Sequence, residues 1–379
     1  MRYLKASAVA GCCLVLALMI WSMSHWNESR GVYDDICYLR QAHLFQTLGW
    51  RGFNTDLSLD SDRYLESRVL AVGLPSPQAS GSAPCHNAMP ATGKVVLQYP
   101  PGTGLLLATF PSGFQVIPLY VISTLAIFIF GLLALQLARA PWAIVLTATF
   151  ADLAIYLMIN PAKASYSVAP TLVICAMAGW LTARLWVREP QSAWLAGWIG
   201  LLFGFAVDLR VANLFLAAGY GLYLLGAWLV TRNRASLNQG LAFAAALLIG
   251  MSPTLLANAI NAGSPFRTTY GSADAVPPAI DFTVLKFYVS DMQFVLLVIA
   301  LAILAGIWRL SGTTGLQRLG WLVLINIVVN FAFFLSHPLF TPYYTVPISM
   351  LSLWTLVFGC LMVPVETMGK APVQAAPRR

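Results

Sequence analysis

The sequence predicts an all-α integral membrane protein of about ten transmembrane helices, with one large periplasmic loop that contains an amphipathic surface helix. Three observations lead there. Hydrophobic residues make up 59% of the 379 positions and charged residues only 9%, where a soluble domain carries roughly a quarter. The apolar residues gather in runs of about twenty, the length a helix needs to cross the hydrocarbon core. The basic residues fall at alternate ends of those runs, the pattern that orients a chain in a bilayer.

In chain order the runs cover roughly 6–24, 113–138, 141–160, 166–187, 193–208, 211–230, 240–260, 290–308, 319–336 and 345–363, with ends good to a few residues. Each must be helical, because lipid offers no partner to an exposed backbone amide. With a cytoplasmic N-terminus, the inner side collects Arg2, Lys5, Arg139, Arg184, Arg188, Arg232, Arg234, Arg309, Arg318, Lys370, Arg378 and Arg379. The short outer loops then hold only Lys163, Arg210, Arg267 and Lys286, so both termini are expected inside. The stretch from Ala193 to Val230 has no Gly-Pro turn, yet it must cross twice. Arg184 and Arg188 before it and Arg232 and Arg234 after it all belong inside, which leaves Asp208-Leu209-Arg210 at the outer surface. The first run reads as an uncleaved anchor, being long for a signal core and followed by a poor cleavage site at Ser22-Met23-Ser24. Cys12 and Cys13 read as packing residues. The transmembrane domain is expected over 1–363, with its first loop at 25–112 and a short cytosolic tail at 364–379.

The net charge of +8 does not point to nucleic acid, since the basic residues are scattered singly and form no stripe. A phosphate-binding lysine loop and a dinucleotide fingerprint are both missing, so no nucleotide site is expected.

Under this topology every acidic residue except Asp152, Glu189 and Glu366 lies outside, and Glu28, Asp34, Asp35, Asp56, Asp60, Asp62 and Glu66 crowd into the first loop. Asp56, Asp60 and Asp62 sit among Ser, Asn and Thr, as on a solvated surface. Asp34 and Asp35 instead open a stretch in which Ile36, Leu39, Leu44, Phe45 and Leu48 form an apolar stripe at helical spacing. This reads as a helix lying along the outer membrane surface. Acidic residues at its N-terminus suit the helix dipole. They also suit acid–base work, in which one carboxylate accepts a proton while its neighbour orients a partner or holds a divalent cation. Asp152 is the one acidic residue near the middle of a span, where it needs a partner or a water-filled cavity.

Tyr33 to Ala42, YDDICYLRQA, resembles the first-loop motif of polytopic glycosyltransferases of the GT-C fold, among them the protein mannosyltransferases and the lipid A aminoarabinose transferases. Asp34, Asp35, Tyr38 and Ala42 fit that motif, with Asp where the family often has Glu at the second acidic position. Gln98 to Ala108, QYPPGTGLLLA, is similar to the Tyr-Pro-Pro segment that returns the loop to the membrane. Gly204 to Leu216 resembles a Gly-Leu-Ala…Arg-Pro stretch, with Arg210 on the arginine and Val211 in place of proline. Ala262 to Gly271 resembles the family's Gly-x-Pro…Tyr-Gly loop, which contains Arg267 and Tyr270.

The resemblance implies a sugar donor on a polyprenyl phosphate and a glycolipid or glycan acceptor, joined in one inverting step. Asp34 would be the general base and Asp35 would orient the acceptor or hold a cation. Arg210 would meet the departing phosphate, with Arg267 or Lys94 assisting. Tyr38, Tyr99, Tyr270 and Asp152 would belong to the acceptor side. His337, Tyr343 and Tyr344 lie in the last outward loop, as interfacial belt residues or as the lining of a sugar pocket. Arg210 has a plainer reading as the partner of Asp208, and Arg267 and Lys94 as solvated loop charges. Cys37 and Cys85 are the two cysteines outside the spans, and in an oxidising compartment they are expected to pair. Two other classes stay open: a lipid-linked sugar transporter or flippase, and a non-catalytic assembly subunit that kept the fold.

Overall fold

The computed structural model describes residues 1–26, 33–73, 75–76, 83–159, 165–270, 278–310, 312–337 and 340–363. Glu28, Lys163, Glu366 and the expected tail at 364–379 lie outside the described residues. Each apolar run read from the sequence is helical: α1 (Arg2–Met23), α5 (Val116–Leu137), α6 (Pro141–Leu157), α7 (Val168–Val187), α8 (Ala193–Leu209), α9 (Leu214–Thr231), α10 (Arg234–Gly250) with α11 (Ser252–Ala262), α13 (Val295–Leu310), α14 (Thr314–Ser336) and α15 (Thr345–Met362). Among the described residues seven helices are long and apolar enough to cross a membrane, eight if the bent pair α10–α11 counts as one; α6 and α8 are apolar but shorter. The chain is a helical protein of multi-pass membrane character.

The bend between α10 and α11 is 50°. It falls at Met251-Ser252, just before Pro253 in the first turn of α11. A proline there has no N–H to continue the preceding helix and is pre-set to begin a new one.

α7 and α15 form the centre of the bundle, with 72% and 78% of their apolar windows buried, whereas α1 is peripheral at 11%. Gly179 of α7 lies against Trp354 of α15, whose indole is fully enclosed. α8 and α10 approach most closely, across Gly200, Gly204 and Gly250. A Cβ on Gly204 would stand 2.6 Å from Gly250 Cα, so only glycine lets the two backbones meet, as small residues do between membrane helices. Gly204→Leu is expected to force these helices apart at a cost of about 1–3 kcal/mol or more. A lowered thermal midpoint in detergent checks this, and an unchanged midpoint would mean the contact is looser than described.

The first loop is a folded cap rather than a linker. It runs through α2 (Tyr33–Leu48), a 3-10 turn at Gly49–Phe53, α3 (Tyr64–Ala71), strands β1 (His86–Met89) and β2 (Lys94–Leu97), and α4 (Gly102–Ala108). The strands form an antiparallel hairpin that pairs His86 with Leu97 and Met89 with Lys94. An all-α expectation misses it, because four residues per strand are too few to display an alternating pattern.

α2 also departs from expectation. Its acidic start and apolar stripe are present, but it does not lie along a surface with one face free. Ile36, Cys37, Tyr38, Leu39, Arg40 and Gln41 are each at most 4% exposed. α3 covers one side, packing Leu65 and Val69 on Ile36. α4 covers another, with Gly104 against the Gln41 side chain. Periodicity marks which face is apolar, and it carries no information about distant chain that folds over the remaining faces.

Candidate functional site

The site is built where the first loop meets one end of the bundle. Asp34, in the first turn of α2, remains partly open. The Tyr99 hydroxyl donates to Asp34 Oδ1 at 2.6 Å, and the Tyr99 ring stacks on Tyr38 with centroids 4.8 Å apart. Among the described residues Tyr99 is the one hydrogen-bond partner of the Asp34 side chain, and it engages Oδ1. Tyr99 reaches this position because β2 delivers it and Pro100-Pro101 turns the chain into α4. The turn is seated on the end of α8: Thr103 Oγ1 donates to the Leu209 carbonyl at 3.1 Å, and Gly102 abuts the Asp208 backbone too closely for any Cβ.

One residue past α8, Arg210 leaves the helix in an extended conformation. Its guanidinium lies over the rings of Tyr344, at 4.1 Å, and Tyr343, at 4.8 Å. Nη2 also donates to the Tyr343 hydroxyl at 3.0 Å. Cation–π contacts of this kind strengthen as water is excluded. The plain reading of Arg210 as the partner of Asp208 does not hold. Asp208 Oδ1 accepts from the Thr254 backbone N–H at 3.0 Å and from Thr254 Oγ1 at 2.6 Å, so it serves the open first turn of α11. Arg210 thus keeps its charge for the space in front of it.

Asp34 and Arg210 share tyrosines. Tyr38 feels the charges of both, and it also interacts with Tyr270. Tyr343 feels Arg210 and, more weakly, Asp34. Burial raises the hydroxyls of Tyr38, Tyr99 and Tyr343 above the ordinary tyrosine range, and Asp34 adds to the effect in each, while Arg210 opposes it in Tyr38 and Tyr343. They therefore remain neutral O–H groups. Tyr270 arrives through a second strap: Asn87 Nδ2 donates to the Thr269 carbonyl at 3.2 Å and Thr269 Oγ1 donates to the Gln98 carbonyl at 2.9 Å. Beside Arg210 a narrow recess of about 20 Å3 is bounded by Asn213, Leu216, Asn330, Phe334 and the two tyrosines.

The structure thus gathers Asp34, Tyr38, Tyr99, Tyr270, Arg210 and Tyr343. It does not gather the other candidates. Lys94 Nζ donates to the Ile260 carbonyl at 2.8 Å, near the C-terminal end of α11, where the helix dipole favours a cation. Arg267 is exposed in its turn, away from these contacts. Asp152, expected on the acceptor side, lies in α6 beside Cys12 of α1, and its buried Oδ1 has no hydrogen-bond partner among the described residues. His337 ends α14 stacked on Phe333 at 4.9 Å, with Nδ1 3.0 Å from Ser336 Oγ. Asp35 is only 1% exposed.

Successive residues on a helix face different directions. With Asp35 enclosed and Asp34 open, the pair does not fit a two-carboxylate cation site. Among the described residues no three His, Cys, Asp or Glu side chains converge. Asn213 and Asn330 were not expected at the site. Asparagines inside apolar runs are costly in lipid, and that cost was the available signal.

The cap is held together beneath the site. Cys37 of α2 is bonded to Cys85, Cα to Cα 6.4 Å. Arg40, fully enclosed, donates to the carbonyls of Thr55 at 3.1 Å and Asp56 at 3.0 Å, and to His86 Nε2 at 3.0 Å, with Asp60 3.5 Å away. His86 Nδ1 faces the Pro84 carbonyl at 2.6 Å, which makes it the protonated nitrogen. Burial, reinforced by Arg40, lowers His86 to about 3.

A neutral, buried histidine must take up a proton when the cap opens. Its contribution to stability is therefore complete above the unfolded value of about 6.5. It declines as pH falls from there toward about 3, by at most about 1.4 kcal/mol per pH unit. Hydrogen exchange of residues 84–99, corrected for intrinsic rates, should quicken between pH 7 and pH 5 in the wild type and change less in His86→Gln. Equal slopes in the two proteins would remove His86 from the account.

No protein-family model, no curated protein sequence and no solved structure matches this chain, so its chemistry has to be read from its own residues.

Proposed function

We propose that the protein is a GT-C-like membrane glycosyltransferase that moves a sugar from a polyprenyl phosphate to a hydroxyl of a glycolipid or cell-envelope glycan. In this reading it lies in a bacterial inner membrane with about ten spans, both termini cytoplasmic and the first loop periplasmic. The observation that supports it is the meeting of Asp34, from the first loop, with Arg210, from the end of α8, across Tyr38 and Tyr343. A base and a fixed cation that act on the same tyrosines suit a displacement in which a proton leaves one partner while negative charge gathers on the other.

The step balances simply. The acceptor oxygen attacks the anomeric carbon as Asp34 Oδ2 removes its proton. The bond from that carbon to the phosphate oxygen breaks, and its electron pair leaves with the lipid phosphate beside Arg210. The rings of Tyr343 and Tyr344 hold the guanidinium flat and exclude water from one side of it. The configuration inverts once, and no covalent enzyme intermediate forms. The topology draws support from the exposed indoles of Trp142 and Trp194 at the starts of α6 and α8, the end away from the first loop, where Arg139, Arg188 and Arg232 also lie. Aromatic residues mark a membrane interface, and an excess of Arg and Lys marks the cytoplasmic one.

The test is mass spectrometry of envelope glycolipids and glycans from cells lacking the protein, with and without a wild-type copy. A glycan one sugar smaller, restored by the copy, is the expected result. No change in any glycan under any growth condition would overturn the transferase reading.

A further inference from the structure

A short helix, α12 (Thr283–Ser290), stands between the bent pair and α13. Asp281 starts it: Oδ1 accepts from the Thr283 N–H at 2.8 Å and from Thr283 Oγ1 at 2.6 Å. Two backbone bonds, Ala279 N–H to the Ser336 carbonyl and Asp281 N–H to the Leu335 carbonyl, both 2.9 Å, tie this start to the end of α14. The helix therefore sits at a fixed height, level with the ends of the spans.

Its faces divide three ways. Val284 and Tyr288, four residues apart, are buried against the bundle, and the Tyr288 ring meets Phe334 at 5.9 Å. At about 100° per residue, Phe282, Leu285 and Val289 follow one another along one flank, while Thr283, Lys286 and Ser290 follow the other. Phe282 is 69% exposed and Val289 55%. Met292, beyond the helix, is 84% exposed, and α13 then opens with Val295 and Val298 half exposed. Exposed apolar side chains thus follow one another along the sequence from this flank through Met292 into α13, a helix long and apolar enough to cross a membrane, while Lys286 lies on the other flank and Phe287, beside it, packs on Phe340 at 5.9 Å.

We infer that α12 is an interfacial helix seated in the leaflet on the first-loop side. Its Phe282–Leu285–Val289 flank rests among the upper acyl chains, and Lys286 lies at the lipid phosphates. A helix with one apolar and one basic flank takes this position because each flank finds its own solvent at the boundary. The occupant of the exposed face is bilayer lipid rather than protein, because its exposed apolar side chains lead along the chain into those of α13, itself long and apolar enough to cross a membrane. One consequence concerns the recess beside Arg210. Tyr288 packs on Phe334, which lines that recess, so an anchored α12 holds the Arg210 guanidinium at headgroup depth. This inference needs only that α13 crosses the bilayer, and it stands or falls apart from the proposed chemistry.

Nitroxide labels test it. Single cysteines at Phe282, Val289, Lys286 and Ser290 are introduced into protein whose free Cys12, Cys13, Cys175 and Cys360 are serine and whose Cys37–Cys85 bond is kept. The full chain is reconstituted in vesicles of phosphatidylcholine with a minor share of phosphatidylglycerol. Collision rates are read with oxygen, which concentrates in lipid, and with a water-soluble nickel chelate. The oxygen-to-nickel ratio at 282 and 289 should exceed that at 286 and 290 several-fold. Equal ratios on both flanks, or shielding of 282 and 289 from both reagents, would overturn the inference. If the serine background fails to fold, photocrosslinkers at 282 and 289 of the otherwise native chain serve instead. Adducts with phospholipid are expected, and adducts with protein alone refute it.

Discussion

Asp34→Asn is expected to reduce sugar transfer at least a hundredfold, the usual scale for removing a positioned base, with no loss of folded protein. Asparagine has nearly the shape of aspartate, and its Oδ1 accepts the Tyr99 hydrogen bond as before, so α2 and the hairpin should stay in register. What disappears is the oxygen that takes the acceptor's proton in the proposed reaction. The defect should fall on turnover rather than on substrate binding, because uptake of the proton belongs to the transition state. Envelope glycans from deleted cells carrying the wild-type or the Asp34→Asn protein at matched membrane levels give the comparison. Full restoration by the variant would remove Asp34 as the base and favour a non-catalytic subunit.

Arg210→Met should cost about a hundredfold to a thousandfold in transfer, the range for losing one group aimed at developing negative charge. Methionine fills much of the space between the rings of Tyr343 and Tyr344 without a charge, so its effect reports electrostatics more than packing. Arg210→Lys should recover only part of the loss. An ammonium keeps the charge but cannot lie flat over Tyr344 at 4.1 Å while donating to the Tyr343 hydroxyl. The same glycan assay, with variant amounts matched, decides between them. Undiminished transfer by Arg210→Met would mean that the departing group meets its cation elsewhere, and exposed Arg267 would be the next residue to replace.

The helices were legible because lipid leaves a strong mark on composition, and charge parity located even the break at Asp208-Leu209-Arg210, where α8 ends in the structure. The acidic start of α2 and the Tyr-Pro-Pro turn were legible for local reasons. The contacts that make a site of them were not. Nothing near Arg210 in the sequence announces Tyr343 and Tyr344, which lie in the last outward loop. Nothing near Asp208 announces Thr254, because the need it meets arises only once Pro253 has broken α10 from α11. Lys94 misled because a lysine in a loop looks the same whether it is free or seated on the carbonyl of Ile260. The burial of α2 was hidden for a similar reason, since its cover comes from α3 and α4 and leaves no trace in its own spacing.

The division of the site between the first loop and the ends of later helices bears on the order of biosynthesis. Domains and segments made first can fold first. The cap holds its own framework, with the Cys37–Cys85 bond and the Arg40–His86 contact both inside residues 33–97. In the proposed topology Asp34 and Tyr99 can therefore be joined soon after the loop has crossed the bilayer, while most of the chain is still being made. Arg210 follows much later, and the tyrosines that hold it come last of all, at the start of α15. A nascent chain would thus carry its acidic half long before its cationic half, and full competence would wait for the final helix to dock.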